Sequence, residues 1–381
     1  MQTLQTASIS EHFSCVKDPR LDRTKDHPLV NIIVIAICGV ICGADTWVDI
    51  ENFGKAKQDW LGQFLDLTNG IPSHDTFGRV FGLLDPAQFQ KGFISWIQAV
   101  SEISDGEIVA IDGKQLRRSH DKRLGKKAIY MVSAWAVGNR LVLGQRKVDE
   151  KSNEITAIPQ LLQTLALSGC IVTIDAMGCQ TDIAAEITAQ DADYVLALKG
   201  NQGRLHEDVA AMFAYLKKRG FADVAHDYHK SVSGGHGRIE IRECWAFDPH
   251  QWREYFRTLE EWSQLRSVVM VEAQRQTATQ LTCETRFYIS SLESDARRLL
   301  HAIRSHWGIE NGLHWVLDIA FREDDSRVRV DHAPENMAVL RHIALTLLKQ
   351  EQSARCGTHA KRLKCAWDES YLMKVLQGVL E

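Results

Sequence analysis

Two short apolar runs, EIVAID (107–112) and CIVTID (170–175), each close on an aspartate followed by a small residue, Gly113 or Ala176. Runs this short and this apolar read as strands covered on both faces, which calls for a sheet with helices packed on its two sides. Between them lie IYMVSAWAV (129–137) and RLVLGQRKV (140–148), joined at Gly138-Asn139 as a hairpin. Helical stretches at about 153–167, 181–190 and 202–219 alternate with CIVTID and with YVLAL (194–198). Three strands followed by alternating helices and strands predict an α/β fold on a mixed sheet.

The flanking regions have a different texture. Residues 1–103 carry no strand pattern and predict a helical N-terminal domain, with a buried helix from Pro28 to Trp47 and a second carrying Trp60, Leu61, Phe64 and Leu65. A third follows, capped by Ser73 and running through Arg79 and Leu83, and a fourth spans Pro86 to Val100. The α/β domain is predicted over 104–350. Within it, strands return at about 226–290 (GRIEIRECWAF, RSVVMVEAQR, TRFYISSL), followed by helices at about 293–317 and 333–349. Residues 351–381 read as a basic segment (Lys361, Arg362, Lys364) and then an amphipathic one (368–380).

Composition excludes whole classes. With 45% hydrophobic and 25% charged residues and only 7 prolines, the chain is neither disordered nor of low complexity. Its nine cysteines form no CxxC pair, the usage of a reducing compartment. MQTLQTASIS lacks the basic start and apolar run of a secretory leader, and the apolar stretch 29–44 falls short of the roughly 20 residues that cross a bilayer. A cytoplasmic, nucleoid-associated protein without a membrane partner is expected. The net charge of −4 decides nothing about nucleic acid, because it averages over patches.

Asp112 and Asp175, at the ends of strands in one sheet, can converge on a common cleft. Ionised carboxylates are hard oxygen donors suited to Mg²⁺ or Mn²⁺, and with a third acid they can hold two ions roughly 3.5–4 Å apart for in-line attack on a phosphodiester. The competing reading is that each acid only caps the turn after it. Dinucleotide and Walker A glycine motifs are absent. The third acid is sought in HWGIENGLHWVLDIAFREDDSR (306–327), where His306, Glu310 and His314 fall four apart on one helix face with Trp307 and Asn311 alongside. Glu323, Asp324 and Asp325 read as a solvated or helix-capping cluster. The same two histidines with Glu310 also suit zinc or iron.

Taken in order, IVAIDGK, TIDAMGCQ and HWGIENGLHWVLDIAFREDDSR resemble the DDE transposases of bacterial insertion sequences, in particular the group containing the H-repeat-associated proteins. DPR (18–20), GADTWVDIENFG (43–54) and NGIPSHDTFGRVF (69–81) are similar to the helical segment that precedes the catalytic domain in that group, so the likeness runs from about residue 10 to 375. The resemblance implies a ribonuclease H-like mixed sheet with flanking helices and a mainly β insertion at about 226–290. It further implies Asp112, Asp175 and Glu310 as catalytic, metal-binding acids for two Mg²⁺ or Mn²⁺ ions. The activity implied is metal-dependent DNA cleavage and strand transfer at element ends, with double-stranded DNA as partner and a homo-oligomer at synapsis. Where the family often has an arginine four residues before the glutamate and a lysine seven after it, this chain has His306 and Leu317. His306, Asn311 and His314 are therefore the auxiliary candidates. Two other readings stand beside this one: a catalytically silent DNA-binding remnant, and a zinc or iron enzyme using His306, Glu310 and His314.

Candidate DNA contacts cluster near the acids. Lys114 and the run RRSHDKRLGKK, with Arg117, Arg118, Lys126 and Lys127, suit phosphate binding beside Asp112. LKGNQ offers Lys199 and Asn201 after a strand. Arg238 and Arg242 share one strand face with Glu240 between them, which fits either DNA or a salt-bridge ladder.

Overall fold

The apolar runs assemble into one nine-stranded mixed sheet in the computed structural model, which describes residues 11–100, 104–120, 127–148, 153–235 and 237–377. The N-terminal region is helical: α1 (Leu29–Ile41), α2 (Trp47–Ala56), α3 (His74–Leu83) and α4 (Pro86–Val100). The single helix expected from Pro28 to Trp47 stops at Cys42, since Gly43 turns the chain at φ +108°, and restarts under a Thr46–Asp49 capping box. Ser73 caps α3 as expected, accepting from the Thr76 amide. Only one helical turn, Gln58–Leu61, forms around Trp60.

The sheet runs in the order β3-β2-β1-β4-β5-β9-β8-β7-β6. β1 (Ile108–Gln115), β2 (Tyr130–Ala136) and β3 (Leu141–Val148) are antiparallel, whereas β4 (Ile171–Ile174) and β5 (Asp193–Leu198) run parallel to β1. The crossover helices are α5 (Glu154–Leu162) and α6 (Thr181–Thr188), and α7 (Gly203–Lys218) follows β5. β6 (His226–Gly235), β7 (Arg238–Phe247), β8 (Ser267–Thr277) and β9 (Leu281–Ser290) form an antiparallel meander that joins the edge of the sheet, with Val195 of β5 opposite Ser290 of β9. The segment expected as an insertion thus extends the same sheet. β6 went unread because HDYHKSVSGG is polar on both faces. It is the exposed outer strand, where no apolar alternation is required.

α8 (Ala296–Ser305) covers one face of the sheet through Leu299, Leu300 and Ile303, packed on Ile108, Ile171, Val195 and Val269. The helix expected over 293–317 forms and runs on to Phe321, with its backbone helical throughout but its hydrogen bonding irregular after α8. A turn at Trp307–Ile309 leads into a π-helical turn, Glu310–His314, and then α9 (Trp315–Phe321). α10 (Ala333–Gln350) is buried along nearly its whole length between α1, α3, α4 and β3. The chain closes with α11 (Thr358–Trp367) and α12 (Glu369–Gln377). The basic C-terminal segment does not face solvent as a patch. Lys361 donates to Leu348 O at 2.9 Å and Arg362 to Val40 O at 2.9 Å, so both buried cations bond carbonyls at helix C-termini. One apolar cluster reaches from Phe13 and α1 through the sheet to Leu376. Among the described residues no helix is long and apolar enough to cross a membrane.

Candidate active site

β1 continues past the expected strand end, so Asp112 lies within the strand, opposite Ser133 of β2, while Asp175 comes directly after β4. Since side chains alternate along a strand, Asp112 shares the face of Ile108, which α8 covers. Glu310 is brought over that face because Gly308 and Gly312 allow close approach. A Cβ on Gly308 would lie 3.1 Å from Val137 Cγ1, and one on Gly312 3.1 Å from Trp135 Cζ2. Asp112, Asp175 and Glu310 line one cleft of about 450 Å³, with Thr173, His306 and Trp307.

Asp112 and Glu310 of that cleft, with the buried His314 behind them, each offer a ligand atom, all within 4.8 Å of one another. His314 Nδ1 lies 3.2 Å from Glu310 Oε2 and 3.5 Å from Asp112 Oδ2. The π turn keeps residues 310 and 314 on the same side, as the four-residue spacing predicted, and such turns recur at functional sites. Asp175 Oδ1 accepts from the Met177 amide at 3.0 Å, so it also caps its turn; both readings of that residue describe one carboxylate. His306 turns away from Glu310 and His314, its Nδ1 3.1 Å from Thr173 Oγ1, so the trio needed for a helix-borne zinc or iron site is not assembled. Asn311 is exposed and donates to the Trp307 carbonyl within its own helix at 3.1 Å.

Burial pushes the Asp112 carboxyl up to about 7, reinforced by the Asp175, Glu154 and Glu310 charges and opposed by the Gly113 amide. Burial lowers the His314 and His306 imidazoles, against the pull of Glu310 and Asp175 respectively. A neutral imidazole keeps a lone pair free for a ligand. His314 is 4% exposed, and its Nε2 has no hydrogen-bond partner.

The DNA candidates separate into several groups. Lys199 is exposed and lines the cleft with the acids. Lys127 is exposed, and Lys126 lies outside the described residues. Lys114 is not available to DNA: its Nζ sits 3.0 Å from Glu323 Oε2 and bonds Asp318, with only 13% of its side chain exposed. Glu323 is correspondingly buried, contrary to the solvated cluster expected, because it faces both Lys114 and Arg341. Arg117 and Arg118 pair with Asp324 and Asp325 at 3.3 Å each, so the basic run meets the acidic one. Asn201 Nδ2 donates to Ala176 O at 2.6 Å and secures the loop after Asp175. Arg242 pairs with Glu240 and bonds Ser233 Oγ, while Arg238 stands 3.3 Å from Glu240, which is the salt-bridge ladder.

Sequence reasoning passed over Glu154. It opens α5, is 9% exposed, and reaches β1 from the face opposite Asp112. Its only sequence signal is Asn153, whose side chain caps the helix that Glu154 begins.

The chain matches two protein families, one described as DDE_Tnp_1-associated over residues 10–97 and one as Transposase DDE domain over 103–347. It is 40% identical to YhhI of Escherichia coli (strain K12), an H repeat-associated protein named as a transposase, over 98% of this chain and 99% of that one. It is 42% identical to YncI of Escherichia coli O157:H7, also named as a transposase, over 98% of this chain and 95% of the other. A solved structure, the piggyBac transposase synaptic complex with hairpin DNA, has 10% identity and a TM-score of 0.39 over 99% of this chain and 78% of that one, too distant to establish a shared fold.

Proposed function

The chain belongs to the DDE transposases of bacterial insertion sequences, enzymes of DNA cleavage and strand transfer, and from that premise we propose how its cleft works. Asp112, Asp175 and Glu310 hold two Mg²⁺ or Mn²⁺ ions. The observation that carries this reading is the convergence of Asp112, Glu310 and His314 ligand atoms within 4.8 Å, at the cleft that Asp112, Asp175 and Glu310 line. The donor set fits, with hard carboxylate oxygens supplemented by one neutral imidazole. The order β3-β2-β1-β4-β5, with β2 reversed and β4 and β5 parallel to β1, supports a ribonuclease H-like core.

When bound, the ions supply activation of a water or a DNA 3′-OH and stabilisation of charge at phosphorus. The chain does the rest. The Met177 amide donates to Asp175 Oδ1 and fixes its orientation, and His314 Nδ1 steers Glu310 toward Asp112. Lys199 on the cleft wall receives a DNA phosphate. We assign the helices before residue 104 to recognition of the element end and residues 104–350 to catalysis, in a homo-oligomer that brings two ends together at cytoplasmic DNA.

The test uses purified protein and end-labelled DNA carrying the gene's own flanking sequence, with Mg²⁺ or with EDTA, alongside Asp112→Asn and Asp175→Asn. Metal-dependent nicking at one position, lost in both variants, is the expected result. Specific DNA retention without cleavage in Mg²⁺ or Mn²⁺ would instead identify a silent DNA-binding remnant.

A further inference from the structure

Asp112 and Lys114 lie two residues apart on β1, so their side chains leave the same face of the strand. The segment bearing Glu310 is laid along that face in step with β1 and β2. Gly308 comes against Val137 and Gly312 against Trp135, then His314 against Asp112 and Asp318 against Lys114. On β2 the last two contacts fall opposite Ser133 and Met131, again two residues apart. Four helical residues advance about 6 Å and two strand residues about 6.7 Å, so contacts recur at that spacing.

His314 is gripped from β1 at both ends. Its ring Nδ1 lies 3.5 Å from Asp112 Oδ2 and 3.2 Å from Glu310 Oε2, and its carbonyl accepts from Lys114 Nζ at 3.3 Å. The same ammonium bonds Asp318, four residues further along, and Glu323 Oε2 at 3.0 Å. Three acceptors thus engage its three protons. Glu323 is itself anchored, 3.5 Å from Arg341 Nη1 on the buried α10. Register matters here: a helix that slides by one residue carries Glu310 about 1.5 Å along and turns it by about 100°. The apolar contacts beneath, through Leu313 and Leu317, attract without direction, whereas charge-assisted bonds from Lys114 fix the register.

We propose that Lys114 is a positioning residue of the acid cleft. Through the His314 carbonyl and Asp318 it sets where Glu310 stands over Asp112, and so the affinity for a divalent cation, while touching neither cation nor DNA. The proposal rests on the metal-site reading above and adds to it a residue outside the three acids. Groups that orient metal ligands from behind typically change metal affinity by about 10–100-fold. The sign separates position from charge. Removing a positive charge near the acids would by itself tighten cation binding, whereas loss of the grip loosens it.

The experiment reads metal binding without DNA. Mn²⁺ binding to the full chain is followed by electron paramagnetic resonance, at a temperature where circular dichroism shows each variant folded. The variants are Lys114→Met, Lys114→Arg, the double variant Lys114→Met/Asp318→Leu, and Asp112→Asn. The double variant removes one charge of each sign and leaves Glu323 paired with Arg341, so it keeps the fold and isolates geometry from charge. The expected result is Mn²⁺ binding that is lost in Asp112→Asn and weakened about tenfold in Lys114→Met and in the double variant. Lys114→Arg, which keeps the charge, should recover part of that loss. A double variant with wild-type Mn²⁺ affinity, or a Lys114→Met protein that binds as tightly or tighter, would reduce Lys114 to a structural role and overturn the proposal. A folded wild type that binds no Mn²⁺ would overturn the metal-site reading itself, a distinguishable failure.

Discussion

Lys114 Nζ stands 3.0 Å from Glu323 Oε2, with both side chains largely buried, so the strand bearing Asp112 is tied to the loop just beyond the helix bearing Glu310. Burial works to lower the Lys114 ammonium, yet Glu323 and Asp318 more than offset it and hold its pKa above the usual lysine value. The same ammonium donates to the His314 carbonyl at 3.3 Å. Removing it leaves Glu323 uncompensated except for Arg341, at 3.5 Å. Lys114→Met is expected to cost about 3 kcal/mol, measured by urea unfolding. A variant as stable as the wild type would refute the structural assignment and return Lys114 to the DNA candidates.

Gly113→Ala tests the contact between β1 and α5. With no room for a Cβ beside Glu154 and Tyr130, overpacking is expected to destabilise the protein by about 1–3 kcal/mol. Adding Glu154→Ala should relieve part of that loss. A double-mutant cycle with no coupling between positions 113 and 154 would contradict the packing described.

His342 makes the fold sensitive to acid. Burial pushes its imidazole down to about 4, and its Nδ1 has no hydrogen-bond partner. The unfolded chain, with a histidine near 6.5, binds the proton first as pH falls. Stability contributed by the neutral ring is therefore present above about 6.5 and lost between there and about 4, up to about 3 kcal/mol. His342→Leu is expected to flatten the stability curve across that window. An unchanged slope would mean that other groups carry the acid lability.

Protons and metal compete at Asp112. With its carboxyl raised to about 7 by burial and by the neighbouring acids, an ion must displace a proton below that pH. Mn²⁺ affinity is expected to climb as pH rises toward 7 and to level above it. A flat profile from pH 5 to 8 would show that Asp112 does not govern binding.

Lys199 and Arg242 separate a DNA contact from a structural pair. Lys199 lines the cleft, whereas Arg242 is engaged by Glu240 and Ser233. Lys199→Ala should lower the slope of log K against log salt by about 1, and Arg242→Ala should leave it unchanged. The reverse pattern would move the DNA path onto β7.

Elements with a local signature were readable in the chain. The hairpin at Gly138-Asn139, the cap at Ser73 and the buried strands around Val109 and Val172 follow from turn chemistry and apolar runs. Those cues act within a few residues. β6 was not readable, because this outer strand meets α8 with polar side chains such as His229, Ser231 and Ser233, so its half-covered face carries no apolar alternation. The π-helical turn at Glu310–His314 was equally hidden, since it lies where that helix presses on Trp135 and Val137 of a distant segment.

The sequence by itself marked the candidate acids and the short apolar strands that lead into Asp112 and Asp175, since both are written in short-range pattern and motif. Only the tertiary structure decided what the charged residues around them do. Lys114, Arg242, Lys361 and Arg362 read as solvent-facing cations when taken singly, yet each is consumed by a carboxylate or a helix carbonyl that folding brings from elsewhere in the chain. Glu154 shows the converse: an unremarkable first residue of a helix packs its carboxylate on Gly113, next to Asp112, because α5 lies against β2 and β3. Charge acts through space, and burial sets its strength, so the partners of a charged side chain are a property of the fold.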